Sequence, residues 1–344
     1  MRIGVSVSAY VLGAFGSLAG AQVPQPVERV EVARVIIDAR VLDEQGRPIL
    51  GLAPADFDVR IGDRPVRVES ARWIGEAPVP PVRPARVATA VRAIDPGDRG
   101  RLVVFVVQKS LVPVRARGLL RLLQQVGSLL GRLNSDDHVA VLSFDFHLKI
   151  WIDFTNDLDA VRTILAEQVM SGIPPTVVPG RISLIPRLSQ EAGRRTYRFE
   201  EALRSLGYAL ESLPGAKSVV LIGHGFGELT ANLNMFGSRL DRRYAEAQQA
   251  LQTARAAVFS LDTTDAAYHT FEHGLQVVAE DTGGFFVRTN LSSRRAVERV
   301  GSALIGHYVL FTERPDLETG THRIEVALDG RKGRVFARRD YVEQ

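Results

Sequence analysis

Between residues 30 and 75 apolar and polar positions alternate. Val35, Ile37, Ala39 and Val41 are interleaved with Asp38 and Arg40, the period of two that a half-buried strand requires. Asp43-Glu-Gln-Gly46 reads as a turn. Phe57, Val59 and Ile61 alternate with Asp56, Asp58 and Arg60, and Gly62-Asp63 predicts a hairpin into Val66 and Val68. So short a segment makes a small core and needs partner strands. Pro78, Pro80, Pro81 and Pro84 then mark 76–100 as an extended connector, because proline cannot sit in a central strand.

From 101 to 305 the pattern changes. Leu102-Val-Val-Phe-Val-Val107 and Ser218-Val-Val-Leu-Ile222 are unbroken apolar runs, as expected of strands covered on both faces. Leu119, Leu122, Leu123, Val126, Leu130 and Leu133 form one helical stripe. Val139–Phe144 and Leu148–Ile152 are close enough in sequence to pair antiparallel, and Asp157 is placed to cap a helix running to Val169. Further helices are predicted at 199–213, 242–255 and 293–304, with a strand at 257–261 and a short one at 285–287. Tyr268, Phe271, Leu275 and Val278 read as another helical stripe, ending at Gly283-Gly284. Strands alternating with helices predict a doubly wound, mostly parallel sheet.

Residues 306–344 return to alternation: Tyr308–Phe311 is one strand, Ile324, Val326 and Leu328 a second, and Asp329-Gly330 a hairpin turn. Neither flanking β segment can stand alone. The expected architecture is therefore α/β, with the doubly wound domain (101–305) inserted between two β segments (22–75 and 306–344) that form one small sandwich.

The first 21 residues fall outside this fold. Arg2, the uncharged apolar stretch Val5–Leu18 and the small residues Ala19-Gly20-Ala21 have the layout of a cleaved secretory signal. Export to the periplasm or the medium is the expectation, with no later membrane span. Composition narrows the chemistry. Lys plus Arg number 43 and Asp plus Glu 39, a net charge of +4 over 344 residues, too balanced for a dedicated nucleic-acid binder. Cysteine is absent, which removes thiolate catalysis and cysteine-held metals.

The motifs appear in a telling order. Val41-Leu-Asp-Glu-Gln-Gly-Arg-Pro-Ile-Leu-Gly-Leu52 is followed by Asp56-Phe57 and Gly62-Asp63. Val139–Asp145 leads to Ile152-Asp-Phe-Thr-Asn-Asp157, then Phe259-Ser-Leu-Asp262, Ala279-Glu-Asp-Thr-Gly-Gly284, Tyr308–Phe311 and His322-Arg-Ile-Glu-Val326. Over about residues 30–342 the chain resembles the exported VWFA-related proteins first catalogued in Acidobacteria, and its α/β part resembles a von Willebrand factor A domain. The resemblance implies an adhesion module that binds a protein partner in the cell envelope or outside the cell. It also implies a rim, at the C-terminal edge of the sheet, where the family holds one hard divalent cation.

The family pattern there is Asp-x-Ser-x-Ser after the first strand, a Thr before a middle helix and an Asp after the fourth strand. Here Gln108 replaces the Asp, Ser110 matches, and Val112 replaces the second Ser. Thr196 is the nearest candidate for the Thr, and His224 stands where the last Asp belongs. Without either carboxylate a magnesium-class ion is poorly held. The expectation is a partner-binding rim of Gln108, Ser110, Val112, Thr196 and His224, with no metal, no cofactor and no catalysis. A cation-dependent adhesion module is the alternative, and His224 with Gln108 could suit a transition metal. The proline-rich stretch 170–195 is expected to cover or extend the rim. His269-Thr-Phe-Glu-His273 matches H-x-x-E-H, an inverted zincin pattern. It reads as solvated helix surface, with zinc-dependent hydrolysis as a further alternative.

Overall fold

A computed structural model describes residues 34–75, 100–232, 235–266 and 268–343, with only the backbone path for 228–239. The expected signal segment and nearly all of the proline-rich connector lie outside the described residues.

In chain order, β1 (Arg34–Leu42) is followed by a short 3-10 turn (Pro54–Asp56), then β2 (Phe57–Ile61), β3 (Arg64–Val66) and β4 (Val68–Gly75). Next come β5 (Leu102–Gln108), α1 (Pro113–Leu123), α2 (Val126–Leu130), β6 (His138–Phe144), β7 (Leu148–Thr155), α3 (Leu158–Thr163) and α4 (Gln190–Gly193). The middle of the chain supplies α5 (Phe199–Glu211), β8 (Lys217–Gly223), β9 (Glu228–Asn232), β10 (Met235–Arg239), α6 (Arg242–Thr253) and β11 (Ala256–Asp262). It closes with α7 (Glu272–Asp281), β12 (Phe286–Arg288), α8 (Ser293–Leu304), β13 (Gly306–Glu313), β14 (Gly320–Leu328), β15 (Arg334–Ala337) and β16 (Asp340–Glu343).

Six strands form the central sheet in the order β12-β11-β8-β5-β6-β7. All neighbouring pairs are parallel except β6 with β7. This is the doubly wound order, which reverses direction between β5 and β8. Side chains of β5 point alternately to two cores. Val103, Phe105 and Val107 pack with residues of α1, α2 and α8. Leu102, Val104 and Val106 pack with residues of α5, α6 and α7.

The flanking segments combine. β15-β1-β13-β4 and β16-β14-β2-β3 are two antiparallel sheets, each drawing strands from both segments. Their inward residues share one core, with Val35, Ile37, Ala39 and Val41 beside Phe57, Val59, Ile61, Leu310 and Ile324. Tyr308 anchors it: the ring meets Phe57 and Trp73 edge-on, and the hydroxyl donates to Ile49 O and accepts from Leu52 N.

The sandwich touches the central sheet through buried charge. Arg255 donates both arms of its fork to Asp38, at 2.8 and 2.5 Å. Arg40 is buried, stacks 5.0 Å from the Phe259 ring and donates to Ser218 Oγ. His307 Nε2 lies 3.6 Å from Asp38. Burial, and next the Arg40 charge, push the His307 imidazole down to about 4. Burial alone would raise the Asp38 pKa, but the hydrogen bonds from Arg255 and the neighbouring cations hold it below the ordinary carboxylate value.

Three sequence expectations need correction, and one element is new. The stripe from Leu119 to Leu133 is buried as expected, but the helix breaks at Gln124-Gln125 into α1 and α2. Asp157 caps its helix by accepting from Ala160 N, yet α3 gives way to a π turn over Ile164–Gln168. Tyr268 does not share a helical stripe with Leu275: it lies in the loop before α7 and is largely exposed. The hairpin β9–β10 was not foreseen.

The segment 170–195 also behaves differently from the expectation. It runs along β7, the edge strand of the sheet. Asp153 Oδ1 accepts from Leu184 N and its other oxygen from Ser183 Oγ. Gln190 brackets Ile150, accepting from its N–H and donating to its C=O. Leu184 and Leu188 are fully buried in the α5-side core. An edge strand exposes unpaired backbone groups that template aggregation. This segment covers them, so its contacts are structural.

Candidate functional site

The loops that follow β5, β6, β8, β11 and β12 all leave the sheet at the same end, because those strands are parallel. The turn into β7 and the loop before α5 join them, since Thr196 bonds to the first residue of β7. In doubly wound sheets ligands sit at this end, in the crevice where the strand order reverses. Here that crevice lies between the loops after β5 and β8.

Gln108 fills it. This last residue of β5 is only 5% exposed. Its Oε1 accepts from His224 N and Gly225 N, both at 3.0 Å, and its Nε2 donates to Gly225 O at 2.8 Å. The amide thus binds its neighbour strand's loop as a piece of backbone would. The close fit depends on small residues: a Cβ at Gly223 would lie 2.5 Å from Gln108 Oε1. A Cβ at Gly225, whose φ is +97°, would meet Phe271 O at 2.0 Å. The β8 loop is therefore wedged between Gln108 and the segment leading to α7.

Thr196 is likewise engaged. It is 3% exposed, accepts from Leu148 N at 3.0 Å and donates to Gly193 O at 2.6 Å. It fastens the edge segment to β7. Ser110 is half-buried and accepts from Val112 N in a local turn. Val112 is half-exposed and caps α1. Of the five expected rim residues, Gln108 and His224 are joined by a hydrogen bond. Gln108 and Thr196 have their polar atoms committed to the fold, whereas Ser110, Val112 and His224 stand nearer the surface.

His224 is kept neutral. Burial, then the charge of Arg115 and the nearby His269, push its imidazole down to about 4. Its Nδ1 is buried and meets no hydrogen-bonding group among the described residues.

The densest polar cluster of this end centres on Asp262, the last residue of β11, which is completely buried. Its Oδ1 accepts from Thr264 N and its Oδ2 lies 2.9 Å from His269 Nε2. Its carbonyl accepts from Thr289 N and Thr289 Oγ1, tying the loop after β12 to the loop after β11. Glu272 opens α7 and takes both arms of the Arg288 guanidinium at 2.8 and 2.9 Å. Arg288 in turn lies 4.7 Å from the Tyr268 ring.

This arrangement corrects the expected solvated helix surface, because Glu272 is buried and His269 largely so, and it also lacks H-x-x-E-H geometry. That chemistry needs both histidines on one helical face. The helix begins only at Glu272, because Asp262 holds His269 in the preceding loop and Phe226 N bonds to Phe271 O. His273 is on the helix and exposed. An Asp ending a mostly apolar strand was the available signal for this cluster, but the spacing to His269 and Glu272 runs through an irregular loop.

Large apolar side chains crown the same end. Leu111, Phe146, Tyr197, Tyr268 and Leu291 are between 76% and 95% exposed. They come from five separate loops that the fold gathers on one edge.

No protein-family model and no curated protein matches the chain. Solved structures do resemble it. BatB from Bacteroides thetaiotaomicron is 15% identical, with 60% of this chain and 99% of that chain covered and a TM-score of 0.39. An aerotolerance-related membrane protein from Bacteroides fragilis is 13% identical, with 60% and 98% covered and a TM-score of 0.37. A von Willebrand factor type A structure from Catenulispora acidiphila is 8% identical, with 91% and 74% covered and a TM-score of 0.43.

Proposed function

We propose that the chain is an exported, non-catalytic interaction module of the von Willebrand factor A type, which captures a protein partner on the C-terminal edge of its central sheet. The observation that carries this reading is the apolar crown. Isolated exposed apolar residues are ordinary, but several gathered on one face mark a binding surface. Aromatic residues such as Phe146, Tyr197 and Tyr268 supply large contact area at little entropic cost.

The doubly wound topology and the ordered motifs of the sequence support the family reading. The plugged crevice supports capture by the outer loops, because Gln108 occupies the place where a small ligand would enter. Ser110, Val112 and His224 belong to the binding edge in this proposal, while Gln108 and Thr196 shape it from within. Export rests on the layout of residues 1–21. No helix among the described residues is long and apolar enough to cross a membrane.

The test is cross-linking in the exported fraction of the native host, followed by mass spectrometry. Leu111→Ser combined with Leu291→Ser should lose the cross-linked partner. Ile173→Ser combined with Val178→Ser, on the exposed part of the β7 edge segment, should keep it. Equal loss from both pairs, or no loss from the first, overturns the reading.

A further inference from the structure

The cluster at the end of β11 has the makings of a metal site, and its members Asp262, His269 and Glu272 include none of the expected rim residues. One donor atom from each lies within 4.8 Å of the others. Ligands sharing a tetrahedral zinc ion at about 2.1 Å stand about 3.4 Å apart, so the three need to draw together by roughly an ångström. The Asp262–His269 pair is already at 2.9 Å.

The carboxylates are fixed by further hydrogen bonds, and each oxygen of Glu272 keeps a lone pair beyond the Arg288 fork. Thr264 N holds Asp262 and the Arg288 fork holds Glu272, the kind of outer hydrogen bonding that positions metal ligands. Close by in sequence, Thr264 Oγ1 is buried with no hydrogen-bonding partner among the described residues, as is Nδ1 of His224. Thr264 itself is 8% exposed and is two residues from Asp262. The β8 loop that carries His224 adjoins this segment, because Thr263 N and Thr263 Oγ1 both donate to Gly223 O.

We propose that Asp262, His269 and Glu272 bind one divalent ion of the zinc class. Imidazole beside carboxylate favours zinc over magnesium or calcium, which prefer all-oxygen shells. Arg288 offsets part of the anionic charge, so binding in the micromolar range is expected rather than tighter. The bound ion would fasten the loop that carries Tyr268, one member of the apolar crown. This goes beyond partner capture, which stands or falls on the outer loops alone.

The test uses the purified full chain, stripped with EDTA and titrated calorimetrically with zinc at neutral pH. One equivalent should bind saturably, and magnesium at the same concentration should give no comparable heat. His269→Ala and Glu272→Gln should each weaken zinc at least tenfold. His273→Ala should leave affinity unchanged, because that imidazole is exposed and outside the cluster. Circular dichroism of the zinc-free variants checks that each is folded, and Glu272→Gln retains a hydrogen bond to Arg288 if His269→Ala loosens the loop. Absence of saturable binding, an unchanged Glu272→Gln, or a His273→Ala defect equal to that of His269→Ala would overturn the proposal.

Discussion

Gln108→Ala removes three hydrogen bonds at once from the reversal point of the sheet. His224 N–H, Gly225 N–H and Gly225 C=O lose their partner. Each such bond contributes about 1 kcal/mol net, and a buried group left unpaired costs about 1–3 kcal/mol. The loop can turn partly toward solvent, so the expected loss is about 3 kcal/mol. Gln108→Glu keeps the acceptor role toward both N–H groups but sets an oxygen against Gly225 O. It also buries a carboxylate, so its expected loss at neutral pH is at least as large as that of Ala. Urea unfolding followed by circular dichroism measures both, and a loss in both variants is the diagnostic. The competing role, a side chain that touches the partner directly, makes the opposite forecast: unchanged stability with lost capture. A Gln108→Ala protein within about 0.5 kcal/mol of the parent would refute the structural role argued from these bonds.

Three further outcomes follow from the fold. Asp38→Ala strips the Arg255 fork of its partner and leaves Arg40 and His307 facing it, so stability should drop by about 3 kcal/mol, read from urea unfolding at neutral pH. His224 and His307 are both held neutral with values of about 4, below the unfolded value near 6.5. Their unfolded forms therefore bind protons first as pH falls, and stability is lost between about pH 6.5 and 4, by about 2 kcal/mol per histidine from pH 7 to 5; His307→Gln should flatten that limb, and a stability unchanged over this range contradicts the burial argument. Deleting residues 183–190 uncovers the β7 edge, so the protein should self-associate in size-exclusion chromatography and melt earlier, where an ornamental loop would change neither.

The hydrophobic pattern made the architecture readable because burial imposes a period. The unbroken apolar runs within β5 and β8 mark central strands, and the alternation at both chain ends marks half-covered ones. Boundaries failed where local bonds override the period, as at Gln124-Gln125 and in the π turn after α3. The rim was legible as a place but not as chemistry. Nothing in the identity of Gln108 or Thr196 reveals that their polar atoms are taken up by backbone groups, most of them far away in sequence. The same limit hid Asp262, whose partners come from loops with no period to follow. The segment 170–195 reads in sequence as a cover for the rim because its prolines break helices, yet two buried leucines and one bracketing glutamine fix it along β7.

The chain leaves the sandwich after β4 and returns to it at β13, and Gly75 pairs with Gly306 across that gap. The ends of the inserted domain also meet, where Arg101 donates to Leu304 O. Strand β1 must therefore wait for β13, made roughly 230 residues after β4, before it has a neighbour. If the central domain folds first, the gap that remains shrinks to little more than the 76–100 connector. By the logarithmic dependence of loop closure on length, that tenfold shortening lowers the entropic barrier to joining the sandwich by about 2 kcal/mol. The connectivity thus favours one order of assembly: the central domain first, with the sandwich closing behind it.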